Sequence, residues 1–320
     1  MNKEIGGYIE IEYNHGEMLH KNAIHLNCGR RAYSYLIKSR GIKKAWLPKF
    51  TCSSVIESFY AGECDVKFYS INSEFIPQID GIHKEDWVVL INYYGQISNE
   101  KIRKIASVHP KLIIDNAQAY YQMPINDLDT IYTCRKYFGV SDGAILYTSK
   151  PLDGEKLEVD ESFERMFFLM GRFERNADEF YEMYAKNNSI FSSEPVKAMS
   201  KLTENILHGI DYDFVKCRRT ENFKYLDERL KDINKLRLFI PQGPFMYPLY
   251  VEKGKIIRKI LQSRKIYIPI LWPDVFSLCK ENSKEYDMAA NILPIPVDQR
   301  YGLEDMKYIV TEILKLVNLD

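Results

Sequence analysis

In the first half of the chain, short apolar runs alternate with longer amphipathic stretches. This alternation, from residue 24 to about residue 148, is typical of strands and helices that wind around a parallel sheet. The predicted strands are almost continuously apolar, which indicates burial on both faces. They cover residues 44–47, 66–69, 87–93, 111–115, 130–133 and 144–147. The pattern therefore predicts an α/β domain with a mostly parallel central sheet flanked by helices.

The second half of the chain has a different pattern. From residue 161 to residue 235 the apolar positions follow a helical period and include many Phe, Met and Tyr residues. Beyond residue 235 we predict strands over 236–240, 245–251 and 266–269 and a final helix over 303–316. We expect a large α/β domain with a helical connector over residues 1–215 and a smaller C-terminal α+β domain over residues 216–320.

Composition narrows the class of ligand. The 320 residues include 44 Lys and Arg and 44 Asp and Glu, so no net charge favours nucleic acid or an anionic membrane. No apolar run approaches the roughly 20 residues of a membrane span, and the first residues have no signal-peptide core. The six cysteines are not paired as Cys-x-x-Cys, and the six histidines do not cluster with them. We expect a cytoplasmic protein with reduced thiols, no metal site and a small-molecule substrate.

The predicted strand at 111–115 ends in a carboxylate, Asp115, which is followed by the amide Asn116. In open α/β sheets the carboxyl ends of the strands face the ligand crevice. A partly dehydrated carboxylate needs a cation or a hydrogen-bond donor, and a protonated pyridine nitrogen is one such partner. Asp115 could equally cap a helix or open a turn, which is a common role of aspartate after a strand.

Two further segments carry candidate chemistry. Lys136 lies in a loop with glycines at 139 and 143, and a deprotonated lysine there can condense with an aldehyde. Gly29 opens an amphipathic helix, whose free N–H groups would suit a phosphate, with Arg30 or Arg31 adding a charged contact. Solvated loop cations and glycines that open helices are both common, so neither segment decides the function by itself.

In this order the three segments resemble the DegT/DnrJ/StrS family of sugar aminotransferases, which use pyridoxal 5′-phosphate and have the type I fold. The resemblance rests on Cys28–Ala32, Pro48–Thr51, Asp115–Gln118 and the loop around Lys136. It implies a Schiff base on Lys136, Asp115 at the pyridine nitrogen and Gln118 at the ring hydroxyl or ring face. It also implies that the phosphate and the ring face contact the following residues: Gly29, Arg30, Arg31 and Thr133 for the phosphate, and Phe50, Cys52 or Tyr93 for the ring.

The resemblance further implies transfer of an amino group, with glutamate as donor, to a keto sugar linked to a nucleotide or to a similar hydroxylated substrate. It implies a homodimer, in which the aromatic stretch at 163–173 could form the contact, although core packing explains that stretch equally well. This chain departs from the family by its shorter length and by Cys52, where many members have an aromatic residue that stacks on the ring. The departures leave open a module that binds pyridoxal phosphate or a sugar nucleotide without turnover.

Overall fold

A computed structural model describes residues 5–154 and 156–317. The strands of its central sheet are β1 (Ile24–Leu26), β2 (Lys44–Pro48), β3 (Asp65–Ile71), β4 (Pro77–Gln78), β5 (Trp87–Ile91), β6 (Leu112–Asp115), β7 (Asp129–Thr133) and β8 (Ala144–Tyr147). Their order in the sheet is β1-β8-β7-β6-β5-β2-β3-β4. The strands β2, β3, β5, β6 and β7 are parallel to one another, whereas β1 and β7 are antiparallel to β8, and β4 is antiparallel to β3.

All six strands predicted in the first half are present, and the predicted α/β fold is confirmed. The short strands β1 and β4 were not predicted, because three or two residues are too few to show a period of two. The strands in the middle of the sheet are almost wholly buried, as their apolar runs indicate.

Helices cover both halves of the chain. The helices are α1 (Gly29–Arg40), α2 (Ser53–Ala61), α3 (Asn99–Val108), α4 (Phe167–Glu174), α5 (Tyr181–Ile190), α6 (Lys201–His208), α7 (Tyr212–Leu230), α8 (Gly254–Ser263), α9 (Val275–Leu278), α10 (Lys284–Asn291) and α11 (Leu303–Val317). The first helix is capped at its carboxyl end by Gly41, whose φ of 63° is a left-handed conformation that glycine adopts without steric cost. Serine side chains cap the start of α3 and α6, where Ser98 accepts from Lys101 N and Ser200 from Thr203 N.

The predicted helical connector consists of short helices rather than one long one. Between α5 and α6 the chain is extended and lies along β1, where Leu26 and Ala198 form a bridge. The backbone N–H of Asn27 donates to the carbonyl of Lys197 at 3.0 Å. The connector therefore returns to the sheet beside the start of α1.

The C-terminal part packs a two-stranded antiparallel sheet, β9 (Met246–Tyr250) and β10 (Ile292–Pro296), against α7, α8 and α11. The final helix and the strand at 245–251 were predicted, but the predicted strands at 236–240 and 266–269 are wrong. In the first segment, the N–H and the carbonyl of Phe239 bond to the side chain of Gln96 instead of to a strand. In the second, Ile266 N donates to Leu261 at the end of α8. The division of domains at residue 215 stays a prediction.

The β10 strand was missed because it contains Pro294 and Pro296, and proline is usually a signal against a strand. Among the described residues, no helix is both long enough and apolar enough to cross a bilayer. In the same part of the chain, no group of three or more His, Cys, Asp and Glu side chains is arranged to hold a metal ion.

Candidate active site

Three segments that carry the predicted chemistry follow strands ending at one edge of the sheet. The parallel strands β6 and β7 place Asp115 opposite Ile131. On the other side of β7, Ala144 of β8 lies opposite both Thr133 and Leu26, the last residues of β7 and β1. Because β1 and β7 are both antiparallel to β8, the carboxyl ends of β1, β6 and β7 share one edge. The topology therefore brings together the start of α1, the segment after Asp115 and the loop of Lys136.

The start of α1 offers backbone donors to a ligand. Cys28 precedes the helix in an extended conformation, and its side chain forms no capping hydrogen bond. The first helical backbone bonds are donated by Arg31 and Ala32, both to the carbonyl of Cys28 at 3.1 Å. A Cβ atom at Gly29 would meet no heavy atom within 4 Å, so this position borders open space. The N–H groups of a first helical turn and the positive end of the helix dipole favour an anion here.

Three arginines surround this helix start, and all three bond to neutral acceptors. Arg30 donates to Ser192 Oγ at 2.7 Å, and Arg31 donates to the carbonyls of Phe191 and Ser192, both at 3.0 Å. Arg135 donates to Asn188 Oδ1, and its guanidinium lies 5.1 Å from the ring centroid of Phe191. Among the residues that the structure describes, none of the three arginines forms an ion pair with a carboxylate.

The positive charges of these three arginines affect the pKa of the Cys28 thiol. Burial raises the pKa of Cys28, and the positive charges of Arg31, Arg30 and Arg135 oppose that rise. Burial also lowers the pKa of Arg135. Arg30 and Arg31 were predicted from the sequence to lie at this helix start, but the place of Arg135 was not. An anion at this position would meet three guanidinium groups that have no anionic partner among the described residues.

Asp115 is buried, with only 7% of its surface exposed, at the end of β6. The hydroxyl of Tyr33 donates to Asp115 Oδ2 at 2.6 Å, and the backbone N–H of Ala117 donates to Oδ1 at 2.8 Å. The bond from Ala117 N–H is a turn contact, so Asp115 does have the turn role that the sequence offered as the alternative to ligand binding. Burial, followed by the charge of Asp115, raises the pKa of Tyr33 well above its usual value, which keeps the phenol a hydrogen-bond donor.

The two amides after Asp115 hold the backbone of the site. Gln118 is buried, and its Oε1 accepts from the backbone N–H of Tyr94 at 2.7 Å. Tyr94 has a φ of 54°, a left-handed conformation that is uncommon for residues other than glycine. Asn116 Oδ1 accepts from the side chain of Asn92 at 3.0 Å. The oxygen of Gln118 therefore holds a strained turn at Tyr94.

Lys136 lies in the short 3₁₀ turn Cys134–Lys136 and is exposed. Its Nζ lies 5.5 Å from the ring centroid of Phe245, and no carboxylate of the described residues pairs with it. The backbone next to it is held firmly, because the carbonyl of Tyr137 accepts from Arg219 at 3.1 Å and from Gln299 at 2.9 Å. Thr133, the predicted phosphate contact, is half-buried at the start of this turn and forms no capping hydrogen bond.

Of the three residues predicted at the ring face, two are enclosed in an aromatic cluster. The ring of Phe50 lies 4.4 Å from that of Trp272 and 5.4 Å from that of Tyr93. The hydroxyl of Tyr93 donates to the carbonyl of Phe50, and both side chains are fully buried. Cys52 is partly exposed, with Sγ 3.0 Å from Ser54 Oγ. The structure therefore leaves Cys52, rather than an aromatic ring, open at this position.

The fold is that of sugar aminotransferases of known structure, although sequence identity is low. The chain is similar to a DegT/DnrJ/EryC1/StrS aminotransferase from Brucella abortus, with 14% identity and a TM-score of 0.59 over 92% of this chain and 86% of that one. It is also similar to DesV from S. venezuelae, with 14% identity and a TM-score of 0.64 over 93% and 85% of the two chains. DesI, solved in the presence of its TDP-sugar product, has 12% identity and a TM-score of 0.62 over 93% and 81%. Neither a protein-family model nor a curated protein matches the chain.

Proposed function

We propose that this chain is a pyridoxal 5′-phosphate-dependent aminotransferase that moves an amino group from L-glutamate to a keto sugar linked to a nucleotide. One observation carries the proposal. Three groups follow strand ends at one edge of the sheet: a helix start whose three arginines have no carboxylate partner in the described part of the chain, a buried carboxylate, and an exposed amine. Phosphate, pyridine nitrogen and aldehyde are the three groups of the cofactor that these side chains complement.

The residues fit the cofactor at three of its positions. The N–H groups at Gly29, together with Arg30, Arg31, Arg135 and Thr133, would hold the phosphate. Asp115 would bind the protonated ring nitrogen, since a buried carboxylate with neutral donors still lacks a cation. Lys136 would bind the aldehyde carbon through Nζ.

The fit is less complete at the faces of the ring. Phe50 and Tyr93 pack on other rings, so Cys52 is the predicted ring contact that a ligand can reach. Gln118 would contribute its amide nitrogen to the ring hydroxyl, because its oxygen accepts from Tyr94. We therefore expect binding through charge at both ends of the cofactor more than through aromatic stacking.

When bound, pyridoxal phosphate would supply an electron sink for the charge that is left when a proton leaves the carbon bearing the amino group. Asp115 would keep the proton on the ring nitrogen, because a carboxylate beside that atom favours its charged form. Lys136 Nζ would move a proton between that substrate carbon and the aldehyde carbon of the cofactor. Asp115 and Lys136 thus have separate roles, one in charge and one in proton transfer.

A keto sugar linked to a nucleotide is the acceptor that the similarity to DesI supports, because DesI was solved with a TDP-sugar product. The test is to incubate the purified chain with pyridoxal phosphate and L-glutamate and to record its visible absorption. Loss of that absorption and release of 2-oxoglutarate are expected, and a panel of nucleoside-diphosphate keto sugars would then identify the acceptor. Cofactor binding with no spectral change under glutamate would contradict the aminotransferase and favour the binding module.

A homodimer is part of the proposal. Four apolar side chains of the predicted aromatic stretch are exposed by more than half, whereas Met166 and Phe168 are buried. The exposed four are Phe163, Phe167, Met170 and Phe173. Several large apolar side chains exposed within eleven consecutive residues favour a protein partner, and a second copy of the chain would cover them. Sedimentation should therefore give a mass of twice 37.6 kDa. The double variant Phe167→Asp and Phe173→Asp should sediment as a single chain.

A further inference from the structure

Tyr33 connects the two ends of the proposed cofactor site. It lies on α1 four residues after Gly29, so the two residues share one face of the helix. Its side chain is 2% exposed, and its hydroxyl reaches Asp115 Oδ2 at 2.6 Å. The same helix therefore carries the backbone donors for the phosphate and a donor to the carboxylate that would bind the ring nitrogen.

In this hydrogen bond Tyr33 is the donor and Asp115 is the acceptor. The phenol of Tyr33 stays protonated because it is buried beside an anion, and a carboxylate only accepts. Since Ala117 N–H occupies Oδ1, each oxygen of Asp115 has one fixed donor. Two donors on opposite oxygens fix the plane of the carboxylate and leave a lone pair on each oxygen for a third partner.

That third partner does not come from this part of the chain. In residues 5–154 and 156–317, no Lys, Arg or His forms an ion pair with Asp115. Burial, followed by nearby groups that include Asp115 and Cys52, raises the pKa of both Tyr33 and Tyr93, so the titratable side chains seen beside Asp115 are phenols and a thiol rather than cations. A buried carboxylate with two neutral donors and no cation is a site for a cationic ligand atom.

We propose that Tyr33 is a positioning residue that orients Asp115 toward the ring nitrogen and couples that contact to phosphate binding at the start of α1. The inference rests on the proposed function and adds a residue that the sequence resemblance does not include. Without the hydroxyl, Asp115 loses a donor that stabilises its charged form and gains freedom to rotate away.

The experiment measures the dissociation constant of pyridoxal phosphate for the wild-type chain and for Tyr33→Phe. We expect the variant to bind about tenfold more weakly, the loss of roughly one charge-assisted hydrogen bond. Tyr35→Phe is the matched control, because Tyr35 is a buried tyrosine on the same helix whose hydroxyl accepts from Leu152 N at 2.8 Å, away from Asp115. Its dissociation constant should stay within about twofold of the wild type.

Two further measurements separate positioning from general loosening of the structure. In an Asp115→Asn background, Tyr33→Phe should no longer weaken binding, because the two side chains act as one unit. Binding of 1-deazapyridoxal 5′-phosphate, which has carbon in place of the ring nitrogen, should not change with Tyr33→Phe. A merely structural role would weaken both cofactors equally.

The outcomes also separate this inference from the proposed function. If the wild type binds pyridoxal phosphate and Tyr33→Phe binds it equally well, the inference is overturned while the proposed function stands. Equal weakening of both cofactors, or an unchanged effect in the Asp115→Asn background, overturns it as well. If the wild type binds no pyridoxal phosphate, both the function and the inference fail. Unfolding of the unliganded wild type, Tyr33→Phe, Asp115→Ala and the double variant gives a second cycle. Alanine cannot accept the bond that an asparagine would keep, so additive effects in this cycle would contradict a bond between Tyr33 and Asp115.

Discussion

The two ends of the candidate site are built in opposite ways. Asp115 is 7% exposed, and each of its carboxylate oxygens has a fixed donor, Tyr33 on one and Ala117 on the other. Lys136 is exposed, and the neighbour of its Nζ is the ring of Phe245 at 5.5 Å. At the first end the chain fixes the side chain; at the second it fixes only the backbone, through Arg219 and Gln299 on the carbonyl of Tyr137.

The proposed roles of the two groups account for this difference. A buried carboxylate without donors tends to become neutral, so its charge depends on the hydrogen bonds that surround it. A nucleophilic amine must instead reach a ligand atom and then release it, which a side chain without an ion-pair partner can do. The comparison predicts large functional effects and small stability effects at Lys136, and effects of both kinds around the supports of the site.

The largest expected effect is that of Lys136→Ala. Borohydride should no longer trap pyridoxal phosphate on the chain, and amination should fall below detection. Because the side chain is exposed, the free energy of unfolding should change by less than about 0.5 kcal/mol. Mass spectrometry of the trapped protein and urea unfolding are the two measurements. Lys150→Ala, a change of an exposed lysine after β8, is the control that should keep full trapping. Trapping at the wild-type level in Lys136→Ala would rule out this lysine as the anchor.

Asp115→Asn is expected to separate cofactor attachment from turnover. An asparagine oxygen can still accept from Tyr33, so the fold and the trapped adduct should remain. The amide cannot hold a positive charge on the ring nitrogen, and amination should be at least about a hundredfold slower. Single-turnover rates with glutamate measure this effect. Wild-type rates in the asparagine variant would show that the ring nitrogen has another partner.

Arg219→Met tests the backbone support of the Lys136 end. The guanidinium is 1% exposed and donates to the carbonyls of Tyr137, Pro244 and Phe245. Its loss leaves buried acceptors without donors, and we expect a decrease of about 3 kcal/mol in the free energy of unfolding. Arg218→Met, at the neighbouring, partly exposed position, should cost less than about 0.5 kcal/mol. Equal decreases in the free energy of unfolding for the two variants, measured in urea, would contradict a role of Arg219 in holding the backbone at Tyr137.

A pH dependence at His20 is expected to have the smallest effect at neutral pH. His20 lies against Tyr132 and Tyr147, and burial lowers its pKa from 6.5 to about 4. The folded state therefore binds fewer protons than the unfolded state between these values. The stability that the neutral ring contributes is complete above pH 6.5 and is lost as the pH falls toward 4, by up to about 3 kcal/mol.

The measurement is urea unfolding of the wild type and of His20→Gln between pH 7 and pH 4. The variant should lose less stability on acidification than the wild type. His25→Gln is the contrasting control, because burial lowers the pKa of His25 but the hydrogen bonds of Glu204 and His20 raise it overall. That variant should lose stability more steeply than the wild type on acidification. Parallel curves for wild type and His20→Gln would contradict a neutral buried histidine.

Several features of the molecule could be predicted from the sequence because they are local. Continuous apolar runs fixed the six strands of the first half, since a strand buried on both faces needs no alternation. Gly29 marked the start of α1, and Asp115 marked the end of β6. The same reasoning failed where proline lies in a paired strand, as in β10, and where residues 236–240 bond to the side chain of Gln96.

The sequence by itself determined the α/β fold and the order in which a helix start, a carboxylate and a lysine follow their strands. Only the tertiary structure decided how those groups are supported. It brought Tyr33 to Asp115 across 82 positions and Arg30 to Ser192 across 162, and it buried Phe50 and Tyr93 beside Trp272. Strand patterns reflect the burial of neighbouring residues in the chain, whereas a hydrogen bond between distant side chains depends on how whole elements pack.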